Sequence, residues 1–179
     1  APKFARFAKL ELGADPLVHA DIAVEVEQSV DLVTKSVRSR SENGWMRRSN
    51  VAPFIEDPLE RAANHIYGPG TQVAEESIFY NLRSGPAGET LNGRNAYRLR
   101  FAPGTLPPVD AFWSLTLYDG QYFLFDNPLD RYGVTDRTEG LRFEEDGSLE
   151  IFVQASEPTS LAGNWLPAPP GDFQLVFRT

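Results

Sequence analysis

A chain of 179 residues, 41% hydrophobic and 23% charged, is long enough to bury a sizeable core as one domain, or as one domain with a small appendage. Its formal charge of −8 argues against a nucleic-acid backbone as partner. No apolar run approaches the roughly 18 residues of a membrane span, and the lack of cysteine removes disulfides, thiolate nucleophiles and Cys-ligated zinc together.

His19 and His65 are the only histidines, so three histidines from one chain cannot share a metal. Ala1 to Leu10 carries charges and no sustained apolar stretch, and does not read as a signal peptide. A mature exported chain has already lost its signal, so the compartment stays open, with a periplasmic or secreted setting slightly favoured.

In chain order, Asp15-Pro16 reads as a helix start, with Asp15 as N-cap and Pro16 at the first helical position. Val18, Ile22, Val26, Val30, Val33 and Val37 then form one apolar stripe on a helix of about 25 residues. Ser41 to Trp45 reads as a turn-prone loop carrying a large aromatic. A second helix starts at Asp57-Pro58, with Glu60 placed for a capping box and Leu59, Ala62, Ala63 and Ile66 as its buried face. Gly68-Pro69-Gly70 stops it.

Beyond residue 70 the pattern turns to strands. Glu76 to Leu82 is β-rich, Leu91-Asn92-Gly93 signals a hairpin turn, and Asn95 to Phe101 alternates Tyr97, Leu99 and Phe101 against Ala96, Arg98 and Arg100. Ala111 to Tyr118 and Gln121 to Phe125 flank Asp119-Gly120, the strongest hairpin signal in the chain. Asp146-Gly147 separates Leu141–Phe143 from Leu149–Gln154, and Phe173 to Arg178 is the last strand. Short strands punctuated by Gly and Pro, without helices between them, predict an antiparallel sandwich or jelly roll. The expected division is a helical subdomain over 1–70 and a β-sandwich domain over 71–179.

Several blocks from residue 40 onward carry a family resemblance. They are Asn43-Gly44-Trp45, Arg61-Ala62, Glu75-Glu76 through Tyr80, Leu91-Asn92-Gly93 and Pro107-Pro108 through Tyr118. Asn127-Pro128 with Arg131-Tyr132, Asp146-Gly147-Ser148 and Asn164 to Pro169 complete the set. In these the chain resembles domain of unknown function 1214, which usually forms the C-terminal part of a two-domain protein whose first half is domain of unknown function 1254. The resemblance implies an eight-stranded jelly roll preceded by a small helical subdomain. Family chains carry a β-domain upstream and continue past the arginine matching Arg178, so this chain is expected to be a fragment. Metal-dependent hydrolysis has been suggested for relatives, and the family brings no general catalytic assignment.

The candidate site residues follow from these blocks. An inward Glu75 or Glu76 at the start of a strand suits a general base or a hard-metal ligand, and neighbours on a strand face opposite ways. The competing reading is a solvated strand start or an ion pair with Arg61 or Arg131. Arg131 offers a fork for a carboxylate or phosphate and Asn127 a donor and an acceptor, against a turn at Asn127-Pro128 and pairing of Arg131 with Asp130 or Asp136. Tyr118, Tyr122 and Tyr132 offer phenols that also suit core packing. Asn43 with Trp45, and Asn164 with Trp165, read as two aromatic clasps; Trp45 suits either packing or stacking on a ligand ring. His65 with carboxylates could take a divalent metal, while a lone helix histidine suits a surface or cap. Ser114 has no nucleophile elbow, and Gly68-Pro69-Gly70 is no phosphate loop.

Two kinds of function remain. One is a hydrolase of small polar or amide-like substrates, metal-assisted, with Glu75 or Glu76 as base or ligand, Arg131 and Asn127 as clamps and Tyr118 as proton donor. Asn43, Trp45, Asn127, Tyr132 and Asn164 are its ligand-binding candidates. The alternative is non-catalytic: binding of a carbohydrate or other small ligand, or a structural role as homo-oligomer or partner of a missing upstream domain.

Overall fold

The computed structural model describes residues 39–48, 56–67, 72–85, 87–159 and 162–179. The chain divides into two compact units, 1–37 with 56–69 and 38–55 with 70–179. The helix expected from Asp15 to Val37, with His19, lies outside the described residues, as does the Gly68-Pro69-Gly70 stop. In the first unit the described element is helix α1, Pro58–Tyr67. Asp57 Oδ1 accepts from the backbone N–H of Leu59 at 2.8 Å and of Glu60 at 3.4 Å, the N-cap that Asp57-Pro58 signals. Ala63 is fully buried, but Leu59 is exposed, contrary to the stripe. Periodicity fixes which residues share a face, not how far along the helix that face is covered.

Nine strands build the second unit among the described residues: β1 Ser39–Glu42, β2 Trp45–Arg48, β3 Phe79–Leu82, β4 Tyr97–Phe101, β5 Ser114–Asp119, β6 Gly133–Thr135, β7 Leu149–Gln154, β8 Trp165–Pro167 and β9 Phe173–Arg178. They form a six-stranded sheet, β1-β2-β3-β9-β5-β6, and a three-stranded sheet, β4-β7-β8. The fold is mainly β. One pairing departs from the antiparallel expectation: β7 and β8 run parallel, with Phe152 opposite Trp165 and Gln154 opposite Pro167.

The loop expected over 41–45 is the turn of a hairpin. Asn43 and Gly44 both have positive φ, 50° and 81°, the backbone of a type I′ turn. β1 and β2 pair from Ser39 opposite Arg48 to Glu42 opposite Trp45. Their arms, Ser-Arg-Ser-Glu and Trp-Met-Arg-Arg, carry too little apolar alternation to declare themselves strands.

Strands β4, β7 and β9 follow their sequence patterns. β4 buries Tyr97, Leu99 and Phe101 more deeply than Arg98 and Arg100, and β7 alternates fully buried with half-buried residues. Two expected strands are absent. After β5, Asp119 Oδ1 accepts from the N–H groups of Gln121 and Phe123, and Asp119 N–H donates to the Phe123 carbonyl at 2.8 Å. These bonds wrap the chain into a loop, leaving a single bridge between Tyr118 and Leu124. At Leu141–Phe143, the N–H and C=O of Arg142 are taken by the Asn164 side chain instead of a strand.

The core lies between the sheets. Leu115, Leu117, Phe173, Leu175 and Phe177 of the large sheet pack with Leu149, Ile151 and Val153 of the small one. Burying such side chains contributes about 1.5–3 kcal/mol each, more than any exposed ion pair here.

A candidate ligand cavity between the sheets

The site follows from unequal sheet widths. Six strands pack against three, so among the described residues part of the large sheet's inner face has no strand opposite it. One row of register partners crosses that face: Arg47 opposite Tyr80, Tyr80 opposite Phe177, Phe177 opposite Leu115, and Leu115 opposite Val134. Leu115 and Val134 are fully buried and Phe177 nearly so, whereas Tyr80 and Arg47 are only half-buried. Cover therefore runs out from β9 toward β2.

A cavity of about 570 Å³ opens there, within the range of small-molecule sites. The hairpin contributes Asn43, Trp45 and Arg47, and the β3 region Ile78 and Tyr80. Leu99 and Phe101 reach it from β4, the edge strand of the small sheet, and Phe177 and Thr179 from the β9 end. Thr105, Pro107, Pro108 and Val109 close one side. That segment turns back on itself: Thr105 donates through both N–H and Oγ1 to the Ala102 carbonyl. The prolines have no N–H to offer a ladder, so the segment covers the site without joining a sheet.

The aromatic walls are fixed by each other. Trp45 meets Phe177 edge-on, ring centres 6.1 Å apart, and Phe101 packs against Phe177 at 5.7 Å and Trp113 at 5.9 Å. Such contacts hold the rings in place beyond their burial. Arg47 carries the only charged side chain among the described lining.

Of the sequence-predicted site residues, Asn43 and Trp45 line this cavity. Glu75 and Glu76 do not; they are exposed in a turn before β3, where Glu76 N–H and Ser77 N–H both donate to the Val73 carbonyl. The opposite-faces argument does not apply to them, because the strand begins only at Phe79. Tyr118 is half-buried on β5, opposite Gln174. Tyr122 is exposed, under the Arg83 guanidinium.

A second group is brought together elsewhere. Asn127 Nδ2 donates to the carbonyls of Phe125 and Arg131 at 3.0 Å, and its Oδ1 accepts from the N–H groups of Leu129 and Arg131 at 3.2 Å. Arg131 Nη1 donates to the carbonyls of Ala162 and Trp165, not to Asp130 or Asp136. Asn164, fully buried, donates to the carbonyls of Arg142 and Glu150 and accepts from Arg142 N–H. The Trp165 indole donates to the Gln154 carbonyl at 2.9 Å. The polar atoms of this group hold backbone. Tyr132 donates to Asp130 at 3.2 Å, and desolvation, with that bond and the nearby Asp130 and Asp126 charges, raises its phenol above its ordinary pKa.

His65 is exposed in the last turn of α1. Among the described residues no three His, Cys, Asp or Glu side chains gather as a metal-ion group, and no helix is long and apolar enough to cross a membrane. Sequence reading missed Arg47, Tyr80, Phe101 and Phe177 as lining. The available signal was the Asn43-Gly44 turn, which pairs Trp45-Met46-Arg47 into the sheet.

A search of curated proteins gives no match. Among solved structures, the chain is similar to the VPA0106 protein from Vibrio parahaemolyticus, with 24% identity and a TM-score of 0.61 over 96% of this chain and 42% of that one. It also matches an uncharacterized protein from Burkholderia cenocepacia at 17% identity and a TM-score of 0.42, over 95% of this chain and 39% of that one. The chain thus spans less than half the length of both solved proteins. The first likeness supports the fold. The family model for proteins of unknown function, DUF1214, matches residues 76–179, and the chain belongs to that family.

Proposed function

We propose that the β-unit is a ligand-binding module that holds a small organic molecule in the cavity between its sheets. The observation that carries this reading is the aromatic wall, with Trp45, Tyr80, Phe101 and Phe177 all contributing to one cavity of about 570 Å³. Fixed rings beside a few polar groups are the usual composition of a small-molecule site. The jelly roll implied by the family resemblance fits as the rigid holder, with the unequal sheets leaving its mouth open. Binding is preferred to hydrolysis because the described lining carries no Asp, Glu or His side chain to move a proton, and Glu75 and Glu76 lie outside it.

The test is ligand-induced stabilisation and tryptophan fluorescence of the protein against a panel of aromatic, aliphatic and sugar compounds. At least one compound should bind, and Trp45→Ala should weaken it about tenfold or more, the loss expected of one buried aromatic contact. Binding that is unchanged in Trp45→Ala places the ligand elsewhere and sinks the reading.

A further inference from the structure

The charge pattern of the cavity narrows what it holds. In a chain of net charge −8, its described lining carries one charged side chain, and that is a cation, Arg47. Arg47 makes no ion pair or hydrogen bond through its guanidinium among the described residues. Its register partners are Arg40 and Tyr80, so neither cross-strand position supplies a counter-charge. By contrast, Arg98 and Arg100 on β4 face Glu150 and Asp146 in ion pairs. A half-buried arginine with no acidic side chain among the described lining, beside an aromatic wall, is matched by an anion that brings its own apolar body.

Resting on the cavity reading above, we infer that the ligand is a small organic carboxylate with a flat apolar body, its carboxylate on Arg47 and its body against Tyr80, Phe101 and Phe177. The register sets the length. Arg47 and Phe177 lie two strand spacings apart, about 10 Å, the reach of a one- or two-ring acid. The planar fork of arginine favours a carboxylate over a spherical anion, and the aromatic faces favour a ring over a flexible chain.

The experiment is calorimetric titration near pH 7 with naphthoate and with its neutral counterpart naphthylmethanol, against wild type, Arg47→Met and Arg47→Lys. Wild type should bind naphthoate about tenfold tighter than the alcohol, and raised salt should shrink that preference. Arg47→Met should bring naphthoate down to the level of the alcohol while leaving the alcohol within about twofold, and Arg47→Lys should keep part of the preference. Thermal melts confirm that each variant is folded; if Arg47→Met does not fold, Arg47→Lys and the salt dependence of wild type decide. Equal binding of the two probes, or a preference that survives loss of the guanidinium, overturns the carboxylate assignment while the cavity reading stands. Failure of both probes to bind overturns the carboxylate assignment, and a blank result across the wider panel would sink the cavity reading as well.

Discussion

The guanidinium of Arg131 donates to the carbonyl of Trp165 at 2.9 Å, tying the loop after β5 to the start of β8. The same Nη1 donates to the Ala162 carbonyl at 2.8 Å, so one side chain closes the turn that leads into the parallel strand. Arg131→Met keeps the stem and removes both bonds. A loss of about 1–2 kcal/mol is expected, discounted for partial exposure, and denaturant midpoints measure it. An unchanged midpoint would mean that solvent replaces both bonds.

Asn164 carries more. It is fully buried and makes three bonds of 2.7 to 2.8 Å, two to Arg142 and one to Glu150. Asn164→Ala leaves those backbone groups without partners and should cost about 3 kcal/mol or more. Asn164→Asp keeps the acceptor for Arg142 N–H but turns the carboxylate toward two carbonyls, so it should be no milder. Urea unfolding of both variants checks the ordering.

Gly93 stands where no Cβ fits, since one there would collide with the Pro169 carbonyl. Its φ is not in the left-handed region, so the requirement is space rather than backbone freedom. Its N–H also donates to the Gly171 carbonyl at 3.0 Å. Gly93→Ala should lower stability by about 3 kcal/mol, while Gly88→Ala, which has open space but φ of +84°, should cost only about 1 kcal/mol. Parallel thermal melts of the two variants separate crowding from backbone strain.

Asp146 provides a pH dependence. Hydrogen bonds from Ser148, and then the Arg100 guanidinium at 3.0 Å, hold its carboxyl below the ordinary 3.8. A folded-state value lower than the unfolded one contributes stability above 3.8 that is lost as pH falls through the folded value. Asp146→Asn should therefore be less stable than wild type at neutral pH, with the gap closing in acid below 3.8. Unfolding midpoints across that range test the sign; a gap that widens in acid contradicts it.

The strands that alternate, Tyr97–Phe101, Leu149–Gln154 and Phe173–Arg178, are legible in the chain because a half-buried strand must place apolar residues every second position. Trp165–Pro167 is not, since all three of its residues are buried and no alternation exists to read. Gly133–Thr135 is too short to show a period. Gln121–Phe125 has strand composition, but the Asp119 side chain captures its N–H groups locally. Of the cavity, Asn43 and Trp45 were visible as an Asn-Gly-Trp block, while Arg47 had no distinguishing mark.

By itself the sequence determined that the protein is mainly β and located five of the nine described strands, β3, β4, β5, β7 and β9, through composition and period-two alternation, while its two Asp-Gly hairpins did not form. Tertiary structure alone decided that two sheets of unequal width share one core, and hence where the inner face stays uncovered among the described residues. It also decided that Asn127, Arg131 and Asn164 spend their polar atoms on backbone, while Arg47 faces a cavity whose described lining has no acidic side chain. The physical reason is range: periodicity and turn chemistry act over a few residues. The partner of a buried polar atom or a lone charge is set by contacts between strands up to a hundred residues apart.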